Sequence, residues 1–221
     1  MQSALCFVFA LLFSQVLMCQ EKPVPVEDEP HHRVVLKNDF VLVMHVTLSP
    51  GESTLFHTHS HTRIAIELTD ATIAQQTPGE PEGAPEQRDP GDVSTVATNG
   101  PYTHRVHNVG NSPFEVLDVE LLQKPTEPAS KATATVKAGN PSARTQKWKL
   151  EPGKTSAMHT HERPYLIISV TPLMLKMTDP EGKSFAHELK AGDIHWVDAK
   201  VTHSLTNEGT TAGEIVEIEL N

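Results

Sequence analysis

Six of the thirteen histidines recur along the chain in two matched sets of three. In each set a Pro-Gly turn is followed, six residues after its glycine, by His-x-His, and a third histidine opens a His-x3-Asn motif about 45 residues later. The sets are His57, His59 and His104 in the first half, and His159, His161 and His203 in the second. Neutral imidazole is a common ligand of transition metals, and three imidazoles can share one ion. The sequence therefore predicts a metal site in each half.

The His-x-His spacing requires a β-strand to be useful as a metal chelate. Residues i and i+2 of a strand point to the same face, so the two imidazoles of each pair lie side by side. A third imidazole from a neighbouring strand completes a cap that leaves about two or three coordination positions open for water, oxygen or substrate. Any single histidine is more often an ordinary surface or packed residue. Their recurrence in two copies favours metal binding.

The histidines belong to a longer internal repeat. Gly91-Asp92 recurs as Gly192-Asp193, and the tail from Glu115 to Leu121 resembles the tail from Glu214 to Leu220. A repeat of this length predicts two similar domains. The expected divisions are 1–20 (signal peptide), 21–33 (N-terminal tether), 34–122 (first domain), 123–141 (linker) and 142–221 (second domain).

Composition indicates the fold class and excludes some partners. The chain has 38% hydrophobic residues, many of them in short β-branched segments separated by turns, and it shows no long helical period. Such a pattern is typical of antiparallel sandwiches or barrels. The formal net charge of -10 argues against nucleic acid and anionic membranes as partners.

The N-terminal residues predict export from the cytoplasm. Residues 1–18 carry no charged side chain and include an apolar run, which indicates a cleaved secretory signal peptide and a secreted or periplasmic protein with no membrane span in the mature chain. An uncleaved anchor, or a lipid anchor at Cys19, is the alternative. Both cysteines, Cys6 and Cys19, lie in this part, so no cysteine chemistry is expected of the mature chain. His31 and His32 in the acidic, proline-rich tether are expected to be solvated.

The order Gly-x5-His-x-His, Gly-Asp and His-x3-Asn resembles the two motifs of the cupin superfamily, and two copies resemble a bicupin. The resemblance covers about residues 40–221 and implies an all-β fold of two tandem antiparallel β-barrels of jelly-roll type. It implies that the six histidines are the metal ligands, with Asn108 and Asn207 at the turn that closes the second motif. The metal would be one or two divalent transition ions, Fe, Mn, Cu or Ni.

One departure from the family pattern bears on function. The usual glutamate ligand after the second histidine is missing from both copies, where Arg63 and Tyr165 stand instead. Such a neutral three-histidine site resembles the site of thiol dioxygenase cupins, and equally that of non-catalytic cupins. Arg63 and Tyr165 are the candidate catalytic residues and would orient the substrate, although a surface ion pair is an equal alternative for Arg63. Glu67, Glu162 and His61 are less favoured candidate ligands.

The sequence is consistent with three functions. The first is a secreted metal-dependent dioxygenase or decarboxylase that acts on a small organic molecule. The second is a non-catalytic cupin that binds a small ligand or holds metal in the cell envelope. The third is a metal-free scaffold bicupin. The family resemblance also suggests a homo-oligomer.

Overall fold

The computed structural model describes residues 21–96, 100–123 and 143–221. The predicted signal peptide, with Cys19, and nearly all of the predicted linker lie outside these ranges. Within them, no helix is long and apolar enough to cross a membrane.

The described residues of the first half form short strands joined by turns, with one 3-10 helix at Val26–Asp28. The strands are β1 (Val24–Pro25), β2 (His32–Lys37), β3 (Val41–Leu48), β4 (His57–His59), β5 (Thr62–Glu67), β6 (Ala71–Gln76), β7 (Glu86–Arg88), β8 (Val93–Val96), β9 (Tyr102–Asn108) and β10 (Phe114–Leu121).

The described residues of the second half repeat this plan without counterparts of β1 and β2. The strands are β11 (Ala143–Leu150), β12 (His159–His161), β13 (Tyr165–Ser169), β14 (Leu173–Thr178), β15 (Ser184–Leu189), β16 (Ile194–Val197), β17 (Val201–Asn207) and β18 (Gly213–Leu220).

Each half folds its strands into two sheets that face each other. The first half has the orders β1-β4-β9-β6-β7 and β2-β3-β10-β5-β8, and the second has β11-β18-β13-β16 and β12-β17-β14-β15. All pairings are antiparallel among the described strands except the two-residue contact of β1 with β4. The predicted all-β fold of two tandem jelly-roll barrels is therefore confirmed.

The register of two strand pairs places the histidines. β4 pairs with β9 so that His57 lies opposite His104, and β12 pairs with β17 so that His159 lies opposite His203. The preceding Pro-Gly turns hold their glycines at positive φ, +80° at Gly51, a conformation that glycine adopts without a Cβ clash. Each turn reverses the chain direction shortly before the His-x-His strand begins.

A buried asparagine closes the turn after each third histidine. The Asn108 side-chain amide donates to the carbonyls of Leu48 (3.0 Å) and Ser112 (2.8 Å) and accepts from the Gly110 amide (3.1 Å). Asn207 makes the same three contacts in the second barrel. The asparagine makes the same three hydrogen bonds in both turns. The Asn of His-x3-Asn is therefore a structural residue.

The two barrels pack against each other through one apolar cluster. It joins fully buried residues of β3, β5 and β10 to fully buried residues of β13 and β18, among them Ile66, Val119, Leu166 and Ile218. These side chains lie on the outer faces of their sheets, whereas separate clusters fill the interiors. The halves therefore share a core as well as a chain.

The N-terminal segment is tied to the first barrel. The residues expected to form an extended tether carry β1, the 3-10 helix and the start of β2, and Val24 pairs with His57. His32 is only 7% exposed, so the expectation that it is solvated was wrong. The reason is tertiary, because β2 joins the sheet beside β3 and carries this side chain inward.

Candidate metal centres

The three histidines predicted for the first barrel lie together in its interior. His57, His59 and His104 are at most 2% exposed, and their ring centroids are 4.6 to 5.2 Å apart. The Nε2 atoms of His59 and His104 are 3.2 Å apart. A metal ion between these nitrogens would bring the imidazoles into one coordination sphere.

In all three rings the Nδ1 atom faces an oxygen acceptor. Each Nδ1 lies 2.9 Å from an oxygen: the Leu55 carbonyl for His57, Glu120 for His59 and Gln75 for His104. When Nδ1–H donates in this way, Nε2 keeps its lone pair for a metal. Among the described residues, His57 Nε2 is buried without a hydrogen-bond partner, which fits the donor atom of a metal ligand.

Burial keeps two of these imidazoles neutral. Loss of solvation, with a smaller contribution from neighbouring His32, lowers the pKa of His57 to about 3. Burial likewise lowers the pKa of His104 far below its ordinary value. Only a neutral imidazole can bind metal, so this interior favours the ligand form.

Arg63, at the family's glutamate position, lies in a buried ion pair. Its Nη1 donates to Asp118 Oδ2 at 3.0 Å, and its side chain is 12% exposed. Burial alone would raise the pKa of Asp118, but the guanidinium outweighs it and holds that pKa below its ordinary value. The surface ion pair considered from sequence is therefore an interior one.

A cavity of about 40 Å³ adjoins the imidazoles, enough for a few water-sized groups. Its wall includes His57, His104, Arg63, Arg88 and Glu67. Glu67 does not join the histidine cluster, but it is 5% exposed and its Oε2 has no described hydrogen-bond partner. Burial raises the pKa of Glu67 to about 7, although Arg88 and Arg63 oppose the shift.

His32 is a fourth imidazole at this site, and the sequence analysis missed it. Its ring centroid is 4.5 Å from that of His57, and ligand atoms of His32, His57 and His59 all lie within 4.8 Å of one another. The internal repeat does not point to His32, because the second copy has no counterpart of β2 among the described residues.

The second barrel brings His159, His161 and His203 together with an unpredicted carboxylate, Glu217. Glu217 oxygens lie 3.2 Å from His159 Nε2, 3.4 Å from His161 Nε2 and 3.3 Å from His203 Nε2. The Nε2 atoms of His203 and His159 are 2.9 Å apart. The neutral three-histidine site expected from sequence is therefore a three-histidine, one-carboxylate cluster in this half.

Burial and hydrogen bonding shift the pKa values of the groups in this cluster in opposite directions. Burial would raise the pKa of Glu217, but hydrogen bonds from the three histidines hold it well below its ordinary value. For His161, burial lowers the pKa, yet the hydrogen bonds to Glu217 and Glu219 outweigh it and the net shift is upward. The pKa of His203 is lowered by burial. Glu217 supplies the negative charge that a divalent ion would neutralise.

A sequence signal for Glu217 did exist in the repeat. The tails of the two copies align Asp118 with Glu217, and both acids lie on the last strand of their barrel. Acidic residues that recur at buried strand positions indicate a polar interior. Glu217 is far in sequence from His159 and His161, so the spacing around the His-x-His pair does not reveal it.

Tyr165 covers the second cluster. Its ring stacks on His161 with centroids 3.7 Å apart and planes 12° apart, and the residue is fully buried. Burial raises the pKa of the phenol, so it stays protonated. Its hydroxyl has no described hydrogen-bond partner.

Two residues considered from sequence lie outside the clusters. The His61 side chain is 41% exposed, and its Nδ1 lies 3.0 Å from Glu120. Glu162 is exposed. Neither one faces the imidazoles as a ligand.

Comparison with known proteins identifies the family. No family model matches the chain. The beta-alanine degradation protein BauB of Pseudomonas aeruginosa is 31% identical over 88 residues, which are 40% of this chain and 90% of that protein. AerE from Microcystis aeruginosa is 15% identical, with a TM-score of 0.62 over 90% of this chain and 98% of AerE.

Two further solved structures share the fold. Bacillus subtilis oxalate decarboxylase is 12% identical, with a TM-score of 0.57 over 83% of this chain and 70% of its own. A cupin 2 conserved barrel protein from Leptotrichia buccalis is 12% identical, with a TM-score of 0.51 over 85% of this chain and 87% of its own. With its paired histidine motifs and its two jelly-roll barrels, this chain belongs to the cupin superfamily, as a two-domain member.

Proposed function

We propose that this bicupin is a metal-dependent enzyme, a dioxygenase or decarboxylase, that acts on a small organic acid in its first barrel. The observation that carries the proposal is the shared cavity. The same small space is bordered by metal-competent imidazoles, by two guanidinium groups and by a buried carboxyl group. A metal there would supply Lewis-acid or redox chemistry.

The arginines fit a carboxylate substrate. Arg63 Nε and Arg88 Nε are buried and have no hydrogen-bond partner among the described residues. Each therefore keeps an N–H donor for an anion beside the imidazoles, and guanidinium groups bind carboxylates strongly. The cavity volume of about 40 Å³ limits the substrate to a few non-hydrogen atoms unless the walls move.

Glu67 supplies the proton-handling group in this scheme. Its pKa of about 7 lets it exist in either protonation state near neutral pH, which suits a general acid or base. Arg88 Nε lies 3.7 Å from Glu67 Oε1. A substrate carboxylate that binds Arg88 would therefore meet Glu67 directly.

The second barrel supports a different role. Glu217 and three histidines supply four donors, and the buried ring of Tyr165 stacks on His161 and covers this cluster. We infer that this barrel holds a metal without turnover. This is the non-catalytic alternative, applied to one half of the chain.

Relatives suggest probes for the substrate. BauB is named for beta-alanine degradation and the Bacillus subtilis protein for oxalate decarboxylation. Both compounds are small acids. The uncharged residues 1–18 support the further proposal that the enzyme works outside the cytoplasm.

The test uses the untagged mature chain, its metal content and two matched double variants. We expect up to two equivalents of transition metal per chain, one lost in His57→Ala/His59→Ala and the other in His159→Ala/His161→Ala. Oxygen uptake and carbon dioxide release are then followed with oxalate, formate, malonate and β-alanine. Turnover should disappear in the first double variant and persist in the second.

Two outcomes contradict the proposal. Metal that stays bound in the first double variant removes the first-barrel site. Turnover lost only in the second double variant moves the active site to the other barrel.

A further inference from the structure

The N-terminal segment of the chain reaches into the first metal centre. We propose that His32 is a ligand of the first-barrel metal, which makes that centre a four-imidazole site closed by residues 24–37. The inference rests on the proposed metal in that barrel and adds a ligand from outside the repeat.

The backbone fixes the position of His32 from both sides. On one side Val24 pairs with His57, and its amide donates to the Phe56 carbonyl at 2.9 Å. On the other side His32 pairs with Val46 of β3. The segment between them is anchored by Val26, which is 4% exposed and packs with Leu42 and Met44. The imidazole is thus carried by paired strands.

Glu29 sets the orientation of the ring. Its Oε2 lies 2.5 Å from His32 Nδ1, and its Oε1 accepts from the Leu55 amide at 3.0 Å. Leu55 is also the residue whose carbonyl holds His57 Nδ1. A carboxylate behind Nδ1 is the arrangement that orients metal-bound histidines and leaves Nε2 for the ion.

Distance and burial place the ring with the other ligands. His32 is 7% exposed, its centroid is 6.3 Å from that of His59, and it borders the same cavity as His57 and His104. Packing alone does not require an imidazole here, since a buried histidine is costly unless its nitrogens are used. Glu29 uses one nitrogen, and a metal would use the other.

The inference predicts chemically different centres in the two barrels. In the first barrel four imidazoles would hold the ion, while Asp118 is held by Arg63. In the second barrel three imidazoles share the site with Glu217. An all-nitrogen donor set favours copper, nickel or zinc, whereas an added carboxylate widens the choice to manganese and iron.

The test uses Cu(II) as the probe and counts nitrogen ligands by electron paramagnetic resonance. The second site is silenced by His159→Ala/His161→Ala, so that one Cu(II) binds in the first barrel. In this background we expect couplings from four nitrogens. His32→Ala should remove one nitrogen and weaken Cu(II) binding by roughly tenfold or more, at least the loss that outer-shell changes typically cause.

Two matched variants separate ligation from folding. His31→Ala removes the neighbouring histidine, which also contacts Glu29 (3.1 Å) but is 30% exposed, and it should leave the nitrogen count and the affinity unchanged. His32→Phe keeps an aromatic ring against His57 without a nitrogen donor. It should preserve the fold, measured by circular dichroism, and still lose one nitrogen.

The outcomes distinguish this inference from the proposed function. An unchanged nitrogen count in His32→Ala, or full affinity in His32→Phe, overturns the role of His32 and leaves a three-histidine metal site. No Cu(II) bound in the silenced background removes the first-barrel metal itself, and both proposals fail.

Discussion

At the scale of single residues, the position that lost the family's glutamate explains how the two sites differ. Arg63 neutralises the carboxylate of the last strand, Asp118, at 3.0 Å. Tyr165 carries no charge, so the counterpart Glu217 is free to face the imidazoles. The last-strand acids therefore differ in their partners: Asp118 pairs with Arg63 and lies 3.9 Å from His59 Nε2, whereas Glu217 lies 3.2 to 3.4 Å from three imidazoles.

This difference predicts opposite effects for a matched pair of variants. Glu217→Gln should weaken metal binding in the second barrel by tenfold or more, because the cluster loses its negative charge. Asp118→Asn should leave metal content unchanged but lower the free energy of unfolding by about 3–5 kcal/mol, because Arg63 is left buried without its counterion. Metal titration and urea unfolding of both variants check the pair. Metal loss in Asp118→Asn would instead make Asp118 a ligand.

Glu67 predicts a pH dependence of stability. Its pKa is about 7 in the folded chain and 4.5 as the ordinary value, so folding favours the protonated form. This contribution is complete below pH 4.5 and is lost as the pH rises through 7, an effect of about 3 kcal/mol. Glu67→Gln should therefore gain stability relative to the native chain between pH 5 and pH 8.

Urea unfolding at the two pH values measures that gain. The exposed turn residue Glu181 provides the control, since Glu181→Gln should show no such trend. A stability difference for Glu67→Gln that is the same at pH 5 and pH 8 would contradict a raised pKa at Glu67.

At the scale of elements, the turn after each third histidine depends on one side chain. Asn108 is fully buried and satisfies two carbonyls and one amide. Asn108→Ala should lower the free energy of unfolding by about 2–4 kcal/mol, because those groups lose their partner inside the protein. The exposed Asn111→Ala, three residues on, should change it by less than about 0.5 kcal/mol. Equal effects of the two variants would show that the turn holds without the amide.

The strands that the sequence predicts well are those with strong local patterns. The repeat and the β-branched segments predicted the fold class, which the strands of both halves confirm. The three polar residues of Glu86–Arg88 show no strand pattern, yet this segment pairs with β6. Such a strand exists only through its partner.

The candidate ligands that the sequence did not reveal come from outside the motifs. His32 begins β2, and the segment before it is held by β1, which is two residues long and includes Pro25, too short for any periodicity to show. Glu217 lies on a strand far from the His-x-His pair, and only the sheet topology brings it to the imidazoles. Local spacing predicts what one strand presents, and tertiary pairing decides what else meets it.

At the scale of the whole molecule, polar contacts add to the apolar cluster that joins the barrels. The Lys147 ammonium donates to the Gly91 carbonyl at 2.7 Å and pairs with Glu214 at 2.7 Å. Gly91 belongs to the first half of the chain, whereas Lys147 and Glu214 belong to the second half. The Gly-Asp motif of the first copy therefore also forms part of the contact between barrels.

Two glycines with the same backbone conformation test that contact. Gly51 and Gly91 have φ of +80° and +79°, but a Cβ at Gly51 would meet nothing within 4 Å, whereas a Cβ at Gly91 would collide with the Glu214 carboxylate and with Lys147 Nζ. Gly51→Ala should cost about 1–2 kcal/mol of unfolding free energy, the strain of a left-handed residue. Gly91→Ala should cost about 1 kcal/mol more, because it also displaces the ion pair.

Since one cluster spans both halves, the native chain and both variants should unfold in a single transition. Equal costs, or two separate transitions, would mean that the barrels are stabilised independently of each other.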